Sequence, residues 1–143
     1  MSNKLRETTT LHWHGMLLPA EMDGGPHQMI EAGATWNPSW TIEQPAATTW
    51  YHPHLHGETA LHVYRGLAGL FLIDDEESAR LPSRYGVDDI PIIIQDKMFK
   101  ANGELHERMN LTPFGMLGNR ILVNGTYDPY LRITASRVRF ENG

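Results

Sequence analysis

Gln44-Pro45-Ala46-Ala47-Thr48-Thr49-Trp50-Tyr51-His52-Pro53-His54-Leu55-His56-Gly57 is the stretch on which the fold turns. Its middle is β-branched and aromatic, the composition of a strand, and it stops at Pro53, which has no N–H to give a ladder. His52 and His54 stand two apart, so on extended backbone both side chains leave from one face. Upstream, Thr9-Thr10-Leu11-His12-Trp13-His14-Gly15 repeats the device with His12 and His14. Four of the chain's eight histidines therefore fall in two His-x-His pairs, with His56 beside them. Gathering four imidazoles on one patch with nothing to bind would leave polar atoms that cost about 1–3 kcal/mol each when buried unpaired. The pairs read as a metal site. Copper, zinc, iron and nickel all accept neutral imidazole, and the spacing does not choose among them. The isolated His27, His62 and His106 read as core or surface residues.

The 143 residues suit one domain, and 41% hydrophobic content can fill a core. A net charge of −5 with no cluster of Lys and Arg argues against a nucleic-acid or anionic-membrane partner, since phosphate recognition needs concentrated positive charge. No apolar run approaches the roughly 20 residues of a membrane span, and no signal segment opens the chain. There is no cysteine. That excludes disulfides, zinc–thiolate and iron–sulfur sites, and a blue copper centre, which depends on a copper–thiolate bond. The seven methionines are scattered and read as packing residues.

Outward from the histidine pairs the pattern is β. Thr8 to His14 alternates like a half-buried strand. Pro19 and Asp23-Gly24-Gly25-Pro26 supply turn chemistry. Thr35 to Ile42 reads as a strand interrupted by Pro38, and Thr48 to His52 as another. Gly66 to Ile73 is apolar on both parities, as suits a strand buried on both faces. Asp74 to Ser83 has the content of a short helix, and Asp89 to Phe99 reads as a strong strand around Ile92-Ile93-Ile94. Asn102-Gly103 is a turn before Glu104 to Asn110. After Pro113, short strands are expected at Ile121 to Gly125, Tyr130 to Thr134 and Arg137 to Phe140. Many short strands between turn signals indicate a sandwich or barrel, and no helix of more than a few turns is expected.

TTLHWHG, the DGGP that begins at Asp23, QPAATTWYHPHLHG and RGLAGLFLIDD together resemble the first cupredoxin domain of multicopper oxidases, especially bacterial laccases and copper-tolerance oxidases. DDIPIIIQDKMF and GNRILVNGTYDPYLRITASRVRF resemble the linker and opening strands of the second domain, so nearly the whole chain is covered. The resemblance implies an all-β, cupredoxin-like Greek-key β-sandwich, with residues 1–112 as the first-domain segment and 113–143 as the start of the second. It implies copper at type 2 and type 3 sites. By resemblance His12 is the type 2 ligand, His14 and His52 hold one type 3 copper, and His54 holds the other. Asp23 takes the place of the acidic residue that handles protons during dioxygen reduction; its plainer reading is a loop aspartate turning into Gly24. His56 is not a ligand position in the family and reads as a loop hydrogen-bonding group. Trp13, Trp50 and Tyr51 read as core residues. A cupin or zinc hydrolase, which also lines up imidazoles on β-structure, fits less well, because the DGG loop has no counterpart there.

The family's cysteine-histidine motif, which links the type 1 copper to the trinuclear cluster, and the four histidines of its third domain have no counterpart here. Turnover by this chain alone is not expected. Two function classes follow: a laccase-like oxidoreductase domain acting with dioxygen and a phenolic or cuprous substrate, or a non-catalytic copper-binding module. The missing ligands would come from the remaining oxidase domains or from a homo-oligomer, with two copies giving four plus four imidazoles across a two-fold axis. The family also places strands before the HWHG segment. The tail from Gly118 to Asn142 is therefore expected to complete the first sandwich, permuted within one chain or swapped between copies. The resemblance implies a periplasmic or extracellular location.

Overall fold

The computed structural model describes residues 1–107 and 115–142. The chain divides into two compact units, Met1–Asp75 and Glu76–Gly143. The expected boundary between residues 112 and 113 lies outside the described residues, as does the end of the Glu104 to Asn110 segment.

The first unit is built on a three-stranded antiparallel sheet in the order β1 (His12–His14), β2 (Ala47–His52), β3 (Gly69–Ile73). The register sets His12 opposite His52, Trp13 opposite Tyr51 and His14 opposite Trp50. On the other side of β2, Thr49 faces Phe71 and Tyr51 faces Gly69. Because directly opposed residues share a face, His12, His14, Trp50 and His52 project from one side of the sheet. Trp13, Thr49, Tyr51 and Phe71 project from the other. There the Trp13 ring meets Trp40 at 5.2 Å, Phe71 at 5.6 Å and Tyr51 at 6.0 Å, an aromatic cluster that backs the histidine face. Glycine at position 69 is required by this packing, since a Cβ there would lie 2.4 Å from the Tyr51 hydroxyl.

Thr8 to His14 is not one ladder. Thr9 bridges to Ile30, and only His12–His14 pairs with β2. Thr35 to Ile42 forms no strand: Thr35 makes an isolated bridge to Ser2, and Pro38 lacks the N–H that a ladder would need. The run from Gly66 is a strand only from Gly69, and its residues are half-buried rather than buried on both faces. A short helix unforeseen in the sequence, α1 (Thr59–Tyr64), fills the β2–β3 connection. Its His62 is 1% exposed, with Nδ1 3.2 Å from Thr9 Oγ1 and Nε2 3.4 Å from Glu7 Oε1. Glu7 also pairs with Arg65 at 2.7 Å. His62 is thus the structural residue the sequence suggests.

In the second unit β4 (Asp89–Ile92) pairs in parallel with β7 (Arg139–Asn142), and β5 (Ile94–Lys97) pairs antiparallel with β6 (Arg120–Val123). The single strand expected around Ile92-Ile93-Ile94 breaks at Ile93, whose N–H donates to Asn124 Oδ1 at 2.9 Å and whose carbonyl accepts the Asn124 N–H at 2.9 Å. The chain changes partner there, from β7 to β6. The tail's ladder partners are therefore β4 and β5 rather than the three-stranded sheet. Tyr130 to Thr134 forms no strand, and the expected helix in Asp74 to Ser83 is a single 3-10 turn, Ser78–Arg80. Arg139 binds Asp89 across the β4–β7 pair through two bonds of 2.8 and 2.7 Å and Glu141 of its own strand at 2.7 Å, a largely buried clamp. Ile94, Ile121 and Tyr130 stay 63%, 67% and 91% exposed. No described helix is long and apolar enough to cross a membrane.

Candidate metal centre

The antiparallel register of β1 and β2 brings the two histidine pairs together. His12 lies with its ring centroid 5.6 Å from His14, 5.3 Å from His52 and 5.3 Å from His54. One donor atom from each of His12, His14 and His52 falls within 4.8 Å of the others. His54 stands beside this trio rather than within it, its ring 5.9 Å from His52. Its backbone N–H is held by the hydroxyl of Thr10, which is fully buried. Thr10 thereby fixes where the chain turns after Pro53.

Hydrogen bonds settle which nitrogen His52 and His12 offer. A carbonyl oxygen only accepts, so a ring nitrogen facing one carries the proton. His52 donates Nδ1–H to the Pro53 carbonyl at 2.8 Å, and His12 donates Nδ1–H to the Asp23 carbonyl at 3.0 Å. Both are left with a bare Nε2. The Asp23 carboxylate also reaches His12 Nδ1, at 3.2 Å. Asp23 therefore supports His12 from behind and lies outside the donor set.

The loop carrying Asp23 is pressed onto β1. The Trp13 N–H donates to the Asp23 carbonyl at 3.3 Å, and a Cβ on Gly24 would sit 1.7 Å from the Leu11 carbonyl oxygen. Gly24 also has φ +73°, in the left-handed region that favours glycine. Only a residue without a side chain lets this loop approach closely enough to anchor His12.

His14 Nδ1 and His52 Nε2 point at one another across 3.1 Å. Two nitrogens each about 2.0–2.1 Å from one ion lie roughly 3 Å apart, which is the separation this pair already has. Burial first, and the neighbouring His12, His14 and His54 imidazoles second, pull the His52 pKa below 6.5, against the Pro53 carbonyl, which raises it. A neutral His52 is the form that can ligate. The site is a cluster of imidazole donors with no thiolate, a set suited to copper, zinc, iron or nickel.

Trp50 was legible only as a core aromatic, yet it is half-buried on the histidine face. Its ring stacks on His52 at 4.2 Å and on His14 at 5.2 Å. The signal was its parity with His52. Thr10 gave no signal that composition could expose, and Gly24 was legible as a turn glycine but not its close approach to Leu11. His56 and His27 are exposed and outside the cluster.

A sequence model of the multicopper oxidase family matches residues 1–78. The multicopper oxidase mco of Staphylococcus aureus is 43% identical over 137 residues, covering 96% of this chain and 30% of its own length. The cell division protein FtsP of Xenorhabdus nematophila is 41% identical over 140 residues, covering 96% of this chain and 29% of its own length. Among solved structures, the laccase-like multicopper oxidase CueO of the lignin-degrading Ochrobactrum sp. superposes with a TM-score of 0.85 at 42% identity, covering 97% of this chain and 32% of that one. The chain thus spans about 30% of the length of the curated relatives it matches. An all-β, cupredoxin-like fold that presents strand-borne histidine pairs belongs, on these likenesses, to the multicopper oxidase family.

Proposed function

We propose that this chain is a copper-binding domain of a laccase-like oxidase and supplies half the ligands of a type 2/type 3 copper cluster for dioxygen reduction. The 3.1 Å approach of His14 Nδ1 to His52 Nε2, with a His12 donor within 4.8 Å, carries the reading. His14 and His52 would hold one type 3 copper together, His54 the other, and His12 the type 2 copper. Copper held there would supply the chemistry of four-electron dioxygen reduction, which consumes four protons and gives two waters. The chain's own residues hold His52 toward its neutral form, fix the tautomers of His52 and His12 through the Pro53 and Asp23 carbonyls, and place a carboxylate behind His12. Asp23 has a side chain 37% exposed and lies 3.2 Å from His12 Nδ1, which suits it to bring protons from solvent to the site.

Electrons must reach the cluster from a thiolate-bound copper, and this chain has no cysteine. The rest of the coordination therefore comes from the remaining domains of a larger oxidase or from a partner copy, and the electron path from such domains, since a second copy has no cysteine either. Exposed Ile94 and Ile121 on the β5–β6 pair support further protein against that pair. Phenols are favoured as reductants over cuprous ion, because the Ochrobactrum relative has oxidase activity towards lignin model compounds. A periplasmic or extracellular location follows the family. The absent cysteine favours one other reading, a non-catalytic copper-binding module that assembles as an oligomer.

Copper analysis and electron paramagnetic resonance on the purified chain, with oxygen uptake on a phenol, test both readings. Bound cupric ion without an intense blue band, and no uptake by the chain alone, is the expected result. A variant with His12, His14, His52 and His54 all changed to Ala that keeps the same copper content overturns the site. If the complete oxidase takes up oxygen, the module reading is overturned; if it binds copper without turnover, the oxidase reading is.

A further inference from the structure

We infer that Trp50 is a positioning residue for the shared His14–His52 metal position, its indole face orienting His14 where a hydrogen bond orients the rings of His12 and His52. The inference rests on the copper reading above and adds a residue to it. A metal-ligating histidine ordinarily gives its second ring N–H to an acceptor, and that bond fixes the rotation of the ring. His12 has the Asp23 carbonyl for this purpose and His52 has the Pro53 carbonyl. His14 has no such carbonyl among the described residues. Its ring is exposed, and its Nδ1 contact is with His52 Nε2 itself. That contact joins the two donors a metal would occupy, so it cannot hold the ring once a metal replaces it.

Trp50 takes up the task by register. It lies directly opposite His14 on the neighbouring strand and two residues before His52, so all three side chains share a face. The indole stacks on His14 with centroids 5.2 Å apart and planes at 29°, and on His52 at 4.2 Å and 32°. One flat surface thus limits rotation of both rings and keeps their facing nitrogens aligned. A branched aliphatic residue would fill part of the volume but would leave His14 free to turn about its own χ2.

The test titrates the full chain, Trp50→Phe and Trp50→Leu with cupric sulfate, reading affinity by equilibrium dialysis and coordination by electron paramagnetic resonance. Circular dichroism of the metal-free proteins controls for folding. Trp50→Leu is expected to bind cupric ion roughly 10–100-fold more weakly, the range for losing an outer partner of a metal ligand, with a changed copper hyperfine pattern. Trp50→Phe, which keeps a flat face, restores both. A Trp50→Leu protein with the affinity and spectrum of the parent overturns the inference and leaves the copper site standing. So does a folded Trp50→Phe that fails as badly as the Leu variant. If the parent chain takes up no copper, the site reading falls and the inference with it. Should Trp50→Leu not fold, Trp50→Met fills the space without a flat face, and parent-like binding by that variant overturns the inference in the same way.

Discussion

The two faces of the β1–β2–β3 sheet are made from alternate residues of the same strands and do opposite work. One face carries His12, His14, Trp50 and His52; the other carries Trp13, Thr49, Tyr51 and Phe71. The aromatic face gains by filling space, and its Trp13 and Trp40 indole N–H groups are buried without partners among the described residues, which marks it as packing first. The histidine face gives up packing to keep bare ring nitrogens close together, and every ring on it is steered by a neighbour. Alternation in a strand therefore divides one short sequence into a part that makes the fold and a part that uses it.

Substitutions on the two faces should separate accordingly. His52→Ala removes a donor that His14 faces at 3.1 Å, and cupric affinity should fall beyond the roughly 10–100-fold that loss of an outer partner costs. The metal-free fold should unfold close to the parent's midpoint. Trp13→Ala should do the reverse. It empties the centre of the aromatic cluster and should lower stability by about 3 kcal/mol, the low end for Trp→Ala because the ring is half-buried. Isothermal titration with cupric ion and urea unfolding of both variants make the comparison. A Trp13→Ala protein of parent stability would break it.

Much of this division was readable before any coordinates. The His-x-His pairs and the β-branched, aromatic stretch before Pro53 identified β2 and the face its histidines share, because period-two alternation is a local property. What sequence alone could not supply was the register. Setting His12 opposite His52 and His14 opposite Trp50 is a long-range choice, and it turned Trp50 from a packing residue into a neighbour of two imidazoles. Thr35 to Ile42 looked like a strand by composition and found no partner beyond one bridge. Ile92 to Ile94 looked like one strand, but the chain trades one partner for another at Ile93. Helix α1 was hidden because its six residues carry no amphipathic period long enough to read.

Acidity should blur the two faces from one side only. Burial, then the adjacent imidazoles, lower the His52 pKa below 6.5. The unfolded chain therefore binds more protons than the folded one as pH falls from 6.5 through the folded value. The contribution of neutral His52 is complete above that range and is lost as pH falls through it. Copper affinity should drop over the same interval, since protons and metal compete for Nε2. Stability and cupric titration measured from pH 7.5 to 4.5 check this, and the downward trend in stability should shrink in His52→Gln. A parent protein whose copper affinity is flat across the interval would contradict a neutral, buried donor.

The finest test falls on a residue belonging to neither face. Thr10 has no exposed surface, and its hydroxyl accepts the N–H of His54 just after the strand has ended at Pro53. Thr10→Val keeps the shape and removes the acceptor, leaving a part-buried N–H unpaired at a cost of about 1 kcal/mol. That loss should appear in urea unfolding, and the ligand geometry should respond selectively. His54 is held by this bond through its backbone, whereas His12 and His52 are anchored through carbonyls that the substitution does not touch. Copper bound by His14 and His52 should therefore keep the parent's electron paramagnetic resonance spectrum while coordination by His54 weakens. If both change together, the four imidazoles move as one rigid group and the anchors are not independent.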